Sequence, residues 1–388
     1  MHICFRHSAI FSTLTATVLL SACATFGPGT VPGSYTGYSK AIQAARTEGG
    51  LLNIVRLRYQ DAPVDMTISS ISTHFNFELG ASGEFGNVEE SNTANISPFV
   101  GYSESPTITF VPQDGADYLG NIASPMSLET LTHPATVSER FTPLLRLAVA
   151  EINGIRNPLR IASPEYQALL AQMEEMDLHG ELKFGFIETL ERLSDPIPAD
   201  RIAASDLLDA AKAGYSYHAA GDPGSCQLSK TRRAPVLWID NRSPQAEGMR
   251  TTLGLAPISS GIYPLIFVSR LSSGDGNRTN ISVRTRSILE VGVYLSNGVD
   301  VPADHRRQGL LPELSENAPQ LDDFFHVRVL DQAPEAPGTA VEYRGRWFYI
   351  PDSDAHSKAT FAALQLLYLA NVVSPDMNST PVLTLGVD

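Results

Sequence analysis

The clearest pattern along the chain is an alternation of apolar and polar positions, with one break, between Met66 and Leu79. An apolar residue at every second position is typical of a strand with one apolar face. Two more strands are predicted at Ile96–Val100 and Thr107–Val111, while residues 80–95 are polar and turn-like. We therefore predict a long hairpin or a three-stranded meander, with a flexible acidic tip at Glu84–Asn92.

Helical periods precede and follow this region. Apolar residues recur at steps of three and four between Tyr38 and Tyr59, which predicts one helix, or two if Gly49-Gly50 interrupts it. Further helices are predicted at Asp114–Ile122, Ser127–Leu131, Thr142–Ile152, Ser163–His179, Ser205–Ala213, Pro244–Leu253, Ser287–Leu295 and Ala355–Asn371. Further strands are predicted at Leu182–Phe186, Tyr215–His218, Val236–Ile239, Leu265–Val268, Ile281–Val283, Phe325–Leu330, Val341–Tyr343, Trp347–Ile350 and Pro381–Leu385. Because these elements mix without a β-α-β rhythm, we predict an α+β fold with mostly antiparallel strands, a long N-terminal hairpin or meander and interspersed helices.

The first 22 residues have the organisation of a secretory signal, with the basic residue Arg6, an apolar run from Ala9 to Leu20, and small residues before Cys23. A cysteine directly after the cleavage position is typical of a bacterial lipoprotein. We predict cleavage after Ala22, a diacylglycerol on the Cys23 thiol and a further acyl chain, such as palmitate, on the freed amine. Several acyl chains anchor a protein stably to a membrane. The alternatives are an ordinary signal peptide cut at the same place, or an uncleaved anchor.

The rest of the chain is interpreted as a tether followed by one domain. Residues 23–36 are rich in Gly and Pro and predict a flexible tether, and residues 37–388 predict a single globular domain, with a weak second boundary near 155–162. Ala24 stands where Asp commonly retains lipoproteins in the inner membrane, which favours the periplasmic face of the outer membrane. The formal charge of −14 argues against nucleic-acid binding.

The candidate catalytic and metal-binding residues all have simpler interpretations. Cys226 and His218 have the chemistry of a nucleophile and its base, but a lone cysteine in a Gly/Pro loop has no local signature. The segment Asp352-Ser353-Asp354, with His356, offers oxygen ligands for calcium, although the same residues fit a helix N-terminus better. Motifs of zinc, nucleotide and serine-hydrolase sites are absent from the sequence. We therefore predict no catalytic residue, no metal and no cofactor.

Arginine gives the most suggestive pattern, because it repeats at a two-residue step in three places: Arg56/Arg58, Arg284/Arg286 and Arg344/Arg346. On a strand this step points both guanidiniums to one face, where they can bind a carboxylate or phosphate. We expect a strand at Arg284/Arg286 at best, and a turn at Gly345. Arg284, Arg286, Arg344 and Arg346 are the candidate ligand or partner contacts, and ion pairing with an acidic surface is the competing interpretation.

Four segments, Leu51–Asp65, Ile281–Pro302, Ala340–Phe361 and Pro381–Leu385, resemble a family of uncharacterised Gram-negative lipoproteins. The resemblance implies an envelope location and no particular activity. We favour a non-catalytic outer-membrane lipoprotein that is an accessory or assembly subunit with an envelope protein partner. The alternative is a periplasmic hydrolase, or a protein that binds carbohydrate or peptidoglycan.

Overall fold

A computed structural model describes residues 30–88, 91–131, 141–256, 261–268 and 280–372. It confirms an α+β fold with mostly antiparallel strands. The helices are α1 (Thr30–Arg58), α2 (Gly115–Ala123), α3 (Thr142–Ala148), α4 (Pro164–Leu178), α5 (Ala204–Lys212), α6 (Pro244–Thr252), α7 (Ile288–Leu295), α8 (Ala303–Arg307) and α9 (Ala355–Val372). The strands are β1 (Asp65–Val88), β2 (Ser91–Gln113), β3 (Val149–Ile152), β4 (Ile155–Arg156), β5 (Leu182–Arg192), β6 (Ile197–Pro198), β7 (Ser216–Ala219), β8 (Ser225–Asp240), β9 (Ile262–Val268), β10 (Asn280–Thr285), β11 (Arg328–Leu330), β12 (Gly338–Tyr343) and β13 (Arg346–Pro351).

The chain divides into two compact units. The described part of the first unit comprises residues 30–51, 65–88 and 91–112, which include the two-stranded β1–β2 ribbon. The second unit comprises residues 52–64 and the described residues from 113 onward. It contains an eight-stranded sheet of order β4-β3-β10-β9-β8-β5, with β6 and β7 also paired to β8, and a three-stranded sheet of order β11-β13-β12. No described helix is both long and apolar enough to cross a membrane.

The N-terminal helix is longer than its sequence pattern indicates. Helix α1 begins at Thr30, so the predicted tether is wrong over residues 30–36, and it continues through Gly49-Gly50 as one helix. It ends where Gln60 takes a left-handed conformation with φ of 61°. The Asp61 amide then donates to the Arg56 carbonyl at 2.9 Å, which is the Schellman pattern of a helix C-terminus. Residues 1–29, including Ala22 and Cys23, lie outside the described residues.

The predicted hairpin is confirmed, whereas the meander and most of the predicted turn are wrong. Strands β1 and β2 have 24 and 23 residues and include most of residues 80–95. Of the predicted acidic tip, residues 84–88 and 91–92 belong to the strands, and residues 89 and 90 lie outside the described part. A Gly- and Ser-rich sequence therefore continues the ribbon here, because each strand supplies the hydrogen-bonding partners of the other.

Several local predictions for the second unit are wrong. The helix predicted over Thr142–Ile152 ends at Ala148, because Val149–Ile152 pairs with β10 as strand β3. Asn153-Gly154, with φ of 47° and 90°, is the tight turn from β3 into β4 and not a helix stop. Ser127–Leu131 is a turn, and Cys226 lies in β8 and not in a loop. The predicted strand Pro381–Leu385 lies outside the described residues.

Candidate functional site

Arg286 is the most deeply buried of the predicted arginines, with 0% of its surface exposed. Its Nη1 donates to the carbonyls of Arg146 and Leu147 at 3.1 and 2.9 Å, and its Nη2 donates to the carbonyl of Asn157 at 2.8 Å. The guanidinium lies 3.9 Å from the centre of the Tyr294 ring, a cation–π distance. These contacts connect the corner between α3 and β3 to the loop that follows β4. Arg286 is therefore a structural side chain of the core.

Arg284 does not share a face with Arg286. It is exposed in β10, whereas Arg286 follows the strand and is buried. An irregularity of register between Arg284 and Thr285 interrupts the alternation of faces that the two-residue step assumes. The structure thus separates the two guanidiniums, and they do not form one anion-binding pair.

Arg344 lies in the turn from β12 to β13 and Arg346 begins β13, so the two arginines flank Gly345 as predicted. Arg344 and Gly345 have φ of 52° and 74°, which suits a two-residue hairpin turn. Both arginines form ion pairs. The Nη2 of Arg344 lies 2.9 Å from Asp61, and Arg346 bridges Asp304, at 2.7 Å, and Asp331. Ion pairing with acidic residues, the competing interpretation, therefore accounts for Arg344 and Arg346.

The Arg344–Asp61 ion pair belongs to a larger group, the Tyr59 cluster, formed by Tyr59, Asp61, His305, Tyr343 and Arg344. The Tyr59 hydroxyl lies 2.6 Å from Nδ1 of His305, and the Tyr343 hydroxyl donates to Asp61. The Arg344 guanidinium lies 5.2 and 5.5 Å from the ring centres of Tyr59 and Tyr343. The C-terminal end of α1, helix α8 and the β12–β13 turn are thus joined through polar and aromatic contacts.

The surroundings of Tyr59 and Asp61 favour a protonated phenol and an ionised carboxylate. Burial raises the pKa of Tyr59 to about 12, although the nearby Arg344 opposes this shift. The hydrogen bond from Tyr343, together with Arg344, holds the pKa of Asp61 below its usual range. At neutral pH the phenol is therefore a hydrogen-bonding group and the carboxylate is an ion-pair partner. This arrangement suits a structural joint better than proton transfer.

The remaining candidates also take structural roles. His218 pairs across the sheet with Gln227, and Cys226 pairs with Ala219, so the histidine and the cysteine point to opposite faces. Asp354 caps helix α9, since its carboxylate accepts the backbone N–H and the hydroxyl of Ser357 at 3.0 and 2.8 Å. Capping was predicted for this segment, although at Asp352 or Ser353. Within the described ranges, no three His, Cys, Asp or Glu side chains are grouped as metal ligands.

Sequence reasoning missed Tyr59 and His305 and gave Arg58 no separate role. Arg58 is 4% exposed, and its Nη1 donates to the Pro312 carbonyl at 3.1 Å. The available signal was that Tyr59 and Arg58 end a helical pattern just before Ala62-Pro63, where a helix must break. His305 had no signal, because its partner Tyr59 is 246 residues away in the chain.

The chain matches no protein-family model, no curated protein and no solved structure. The likeness to uncharacterised lipoproteins therefore stays a prediction. Two of the segments that carry it, Leu51–Asp65 and Ala340–Phe361, meet in the Tyr59 cluster through Tyr59, Asp61, Tyr343 and Arg344.

Proposed function

We propose that this protein is a non-catalytic lipoprotein on the periplasmic face of the outer membrane, anchored through Cys23. We further propose that it is an accessory or assembly subunit of an envelope complex, and that the β1–β2 ribbon pairs with a strand of the partner protein. The observation that supports this proposal is the state of the ribbon, whose two long strands pair with no third strand among the described residues.

The ribbon has the features of an incomplete sheet. A two-stranded hairpin alone is marginally stable in water, and a third strand or a packing partner is normally needed. Met66, Phe99 and Phe110 are 60%, 51% and 51% exposed. Residues 65–113 contain no Lys or Arg, the side chains that commonly protect the edges of sheets from pairing.

Cross-strand contacts give the register of the ribbon. The Ser82 hydroxyl lies 3.5 Å from the Ser97 carbonyl, and a Cβ at Gly101 would lie 3.5 Å from the Cβ of Glu78. Both contacts fit one antiparallel register, in which residue numbers of opposite residues sum to the same value. In this register Ala81 lies opposite Pro98.

The prolines of β2 indicate which edge is available. Pro98, Pro106 and Pro112 are separated by even numbers of residues, so their nitrogens face the same edge. Because proline has no N–H to donate to β1, this edge is the outer edge of β2. The outer edge of β2 therefore lacks three donors, whereas β1 contains no proline. We infer that the partner strand adds to β1.

Adjacent proline substitutions test the proposal. In the register above, the N–H of Ala81 faces outward and that of Ser82 faces β2. Ala81→Pro should therefore reduce partner recovery severalfold while the far-UV circular dichroism stays unchanged, and Ala81→Ser should leave recovery unchanged. Ser82→Pro should disturb the ribbon itself. The measurement is crosslinking in intact cells, followed by detergent extraction and quantification of co-purifying envelope proteins.

Two results would contradict the proposal. One is recovery of the protein alone, or bound to glycan fragments, and the other is an unchanged partner after Ala81→Pro. Labelling with radioactive palmitate tests the anchor separately, since Cys23→Ser should abolish incorporation.

The alternative, a hydrolase or carbohydrate-binding protein, requires the arginine pairs to converge around a cleft. Arg286 is buried and Arg344 and Arg346 are ion-paired, so these residues do not support it. A small pocket beside Arg146, Tyr166 and Tyr294 has a volume of about 10 Å³. This volume is below the roughly 300–1,000 Å³ of typical ligand sites.

A further inference from the structure

Cross-strand contacts allow the two faces of the β1–β2 ribbon to be followed along both strands. In the register given above, Ser82 lies opposite Ser97. Gly80 lies opposite Phe99, and a Cβ at Gly80 would overlap the ring of Phe99. Since successive residues of a strand point to opposite faces, even-numbered residues of β1 and odd-numbered residues of β2 share one face. Odd-numbered residues of β1 and even-numbered residues of β2 share the other, which we call the Ala81 face.

The Ala81 face is apolar over a bounded band. It takes the odd-numbered residues of 77–85 and the even-numbered residues of 94–102, and every one of these is apolar, aromatic or glycine. Ala81 itself is exposed. On the same face the apolar run ends at Glu104 toward the base of the ribbon and at Asn87 toward its tip. The band, defined as residues 77–85 and 94–102, therefore has nine residues in each strand.

The other face of the band is polar. Its residues are Glu, Ser, Asn and Gly, with Phe99 as the exception. Ser82 and Ser97 of this face are both exposed. One face is thus apolar and the other polar, without a break in either strand, as in strands that cross a membrane. Lys and Arg, the most costly side chains on a surface that faces lipid, are absent from residues 65–113.

The length of the band matches the thickness of a bilayer. A strand rises about 3.3 Å per residue, so nine residues span about 30 Å. With a tilt of roughly 40°, this length covers about 23 Å, close to the apolar band of about 25 Å in membrane-spanning strands. Aromatic residues mark both ends of the band, since Phe77 lies opposite Tyr102 at one end and Phe85 lies at the other. Aromatic side chains are enriched where a membrane protein meets the lipid–water boundary.

A protein surface that covers the Ala81 face is the competing explanation. Helix α1 contacts this face near the base of the ribbon, where the hydroxyls of Thr73 and Tyr38 are 3.2 Å apart. Thr73 precedes the band by four residues, however, so this contact does not account for the band. A soluble partner would also require neither the limited height of the band nor its aromatic ends.

We propose that the band inserts into the lipid bilayer, with the Ala81 face toward the acyl chains. This inference rests on the proposed function, because it names the surface that the lipoprotein presents to its membrane. Backbone N–H and C=O groups without partners are costly in a bilayer, which gives a reason for the partner strand proposed at β1. Glu78 and Glu84 belong to the polar face, so protein or water of the complex must separate this face from lipid.

Photocrosslinking in intact cells tests the insertion with three matched phenylalanines. The photoreactive analogue p-benzoylphenylalanine replaces Phe77, Phe85 or Phe99 in turn, in cells grown on radioactive phosphate. After illumination and purification under denaturing conditions, the Phe77 and Phe85 variants should carry severalfold more radioactive phosphate than the Phe99 variant and than cells kept dark. Phospholipids and lipopolysaccharide contain phosphate, whereas the diacylglycerol and acyl chain predicted at Cys23 do not, so the anchor does not contribute to this signal.

A lysine on each face provides the second measurement. Ala81→Lys, added to the Phe85 variant, should abolish the phosphate-containing adduct, because a cation on the lipid-facing side opposes insertion. Ser82→Lys is the matched control, one residue later on the polar face, and should retain the adduct. Unchanged far-UV circular dichroism in both variants checks that the fold is kept.

Two results would overturn the proposal. One is equal labelling of the Phe77, Phe85 and Phe99 variants, and the other is crosslinking of Phe77 and Phe85 to protein alone, which would assign the Ala81 face to a protein partner. Failure of the proposed function is distinguishable from either. A chain without its anchor would be missing from the membrane fraction, whereas a failure of insertion alone would leave the chain in that fraction without lipid adducts.

Discussion

Arg286 and Arg58 are both almost completely withdrawn from solvent, at 0% and 4% exposure, yet their surroundings differ. Three carbonyls and an aromatic ring surround the guanidinium of Arg286. Arg58 has one carbonyl and the charges of two further arginines. The Nε of each guanidinium is buried without a partner among the described residues, so burial alone does not distinguish an arginine with several acceptors from one with a single acceptor. The number of acceptors that the protein supplies makes the distinction.

Replacing each of these two arginines with methionine tests whether they contribute differently to stability. Arg286→Met removes the donor for the carbonyls of Leu147 and Asn157 and the contact with Tyr294. We expect a loss of about 3–5 kcal/mol in the free energy of unfolding, as for other buried charge networks that lose one member. Urea denaturation followed by circular dichroism measures the loss. Arg284→Met, at an exposed position two residues earlier, should change the value by less than about 0.5 kcal/mol.

Tyr59→Phe tests whether the Tyr59 cluster, which begins at the residue after Arg58, contributes to the stability of the fold. The substitution keeps the ring contacts and removes only the hydroxyl that lies 2.6 Å from His305. Leaving a buried nitrogen without its partner should cost about 1–2 kcal/mol in the free energy of unfolding. Tyr35→Phe, at a residue that is 74% exposed, is the control. Equal values for the two variants would show that the Tyr59–His305 contact adds nothing to stability.

Arg58→Met should have a much smaller effect than Arg286→Met. It removes one hydrogen bond to the Pro312 carbonyl, but it also removes a desolvated charge and its repulsion with Arg160 and Arg306. Since apolar replacements of buried charges are often neutral, we expect a change within about 1 kcal/mol in the free energy of unfolding. A loss comparable with that of Arg286→Met would remove the distinction between the two arginines.

The parts of the fold that could be predicted from the sequence are those with local causes. Ser287 and Glu290 form the capping box that begins α7, and both of its hydrogen bonds are present. Arg344-Gly345 forms the predicted tight turn, and Ser163-Pro164 begins α4 as predicted. Each of these features depends on residues within a few positions of one another.

The parts that could not be predicted depend on distant partners. Val149–Ile152 becomes a strand because β10, more than 120 residues later, offers a place in the sheet. The two-residue step of Arg284/Arg286 suggested one face, but the irregular register of that pairing places one residue in solvent and the other in the core. For the candidate site, the sequence identified Arg344 and Arg346 but not their carboxylate partners, which are separated from them by 15 to 283 residues.

The smallest effect concerns Asp61, whose pKa is held below its usual range by the hydrogen bond from Tyr343 and by Arg344. A carboxyl with a lower pKa in the folded state stabilises that state above its unfolded value, near 3.9, and loses this contribution as the pH falls through the folded value. Asp61→Asn should therefore lower the free energy of unfolding at pH 7 by about 0.5 kcal/mol, the scale of exposed ion pairs, and the difference from wild type should shrink as the pH falls below about 3.9. Asp322→Asn, at an exposed acid without an ion pair among the described residues, should show no such pH dependence.

A difference that persists unchanged at pH 3 would mean that Asp61 contributes through packing and not through its charge. The Tyr59 cluster would then be stabilised mainly by contacts between uncharged groups and not by ion pairs, and Arg286 likewise contacts only uncharged carbonyls and a ring.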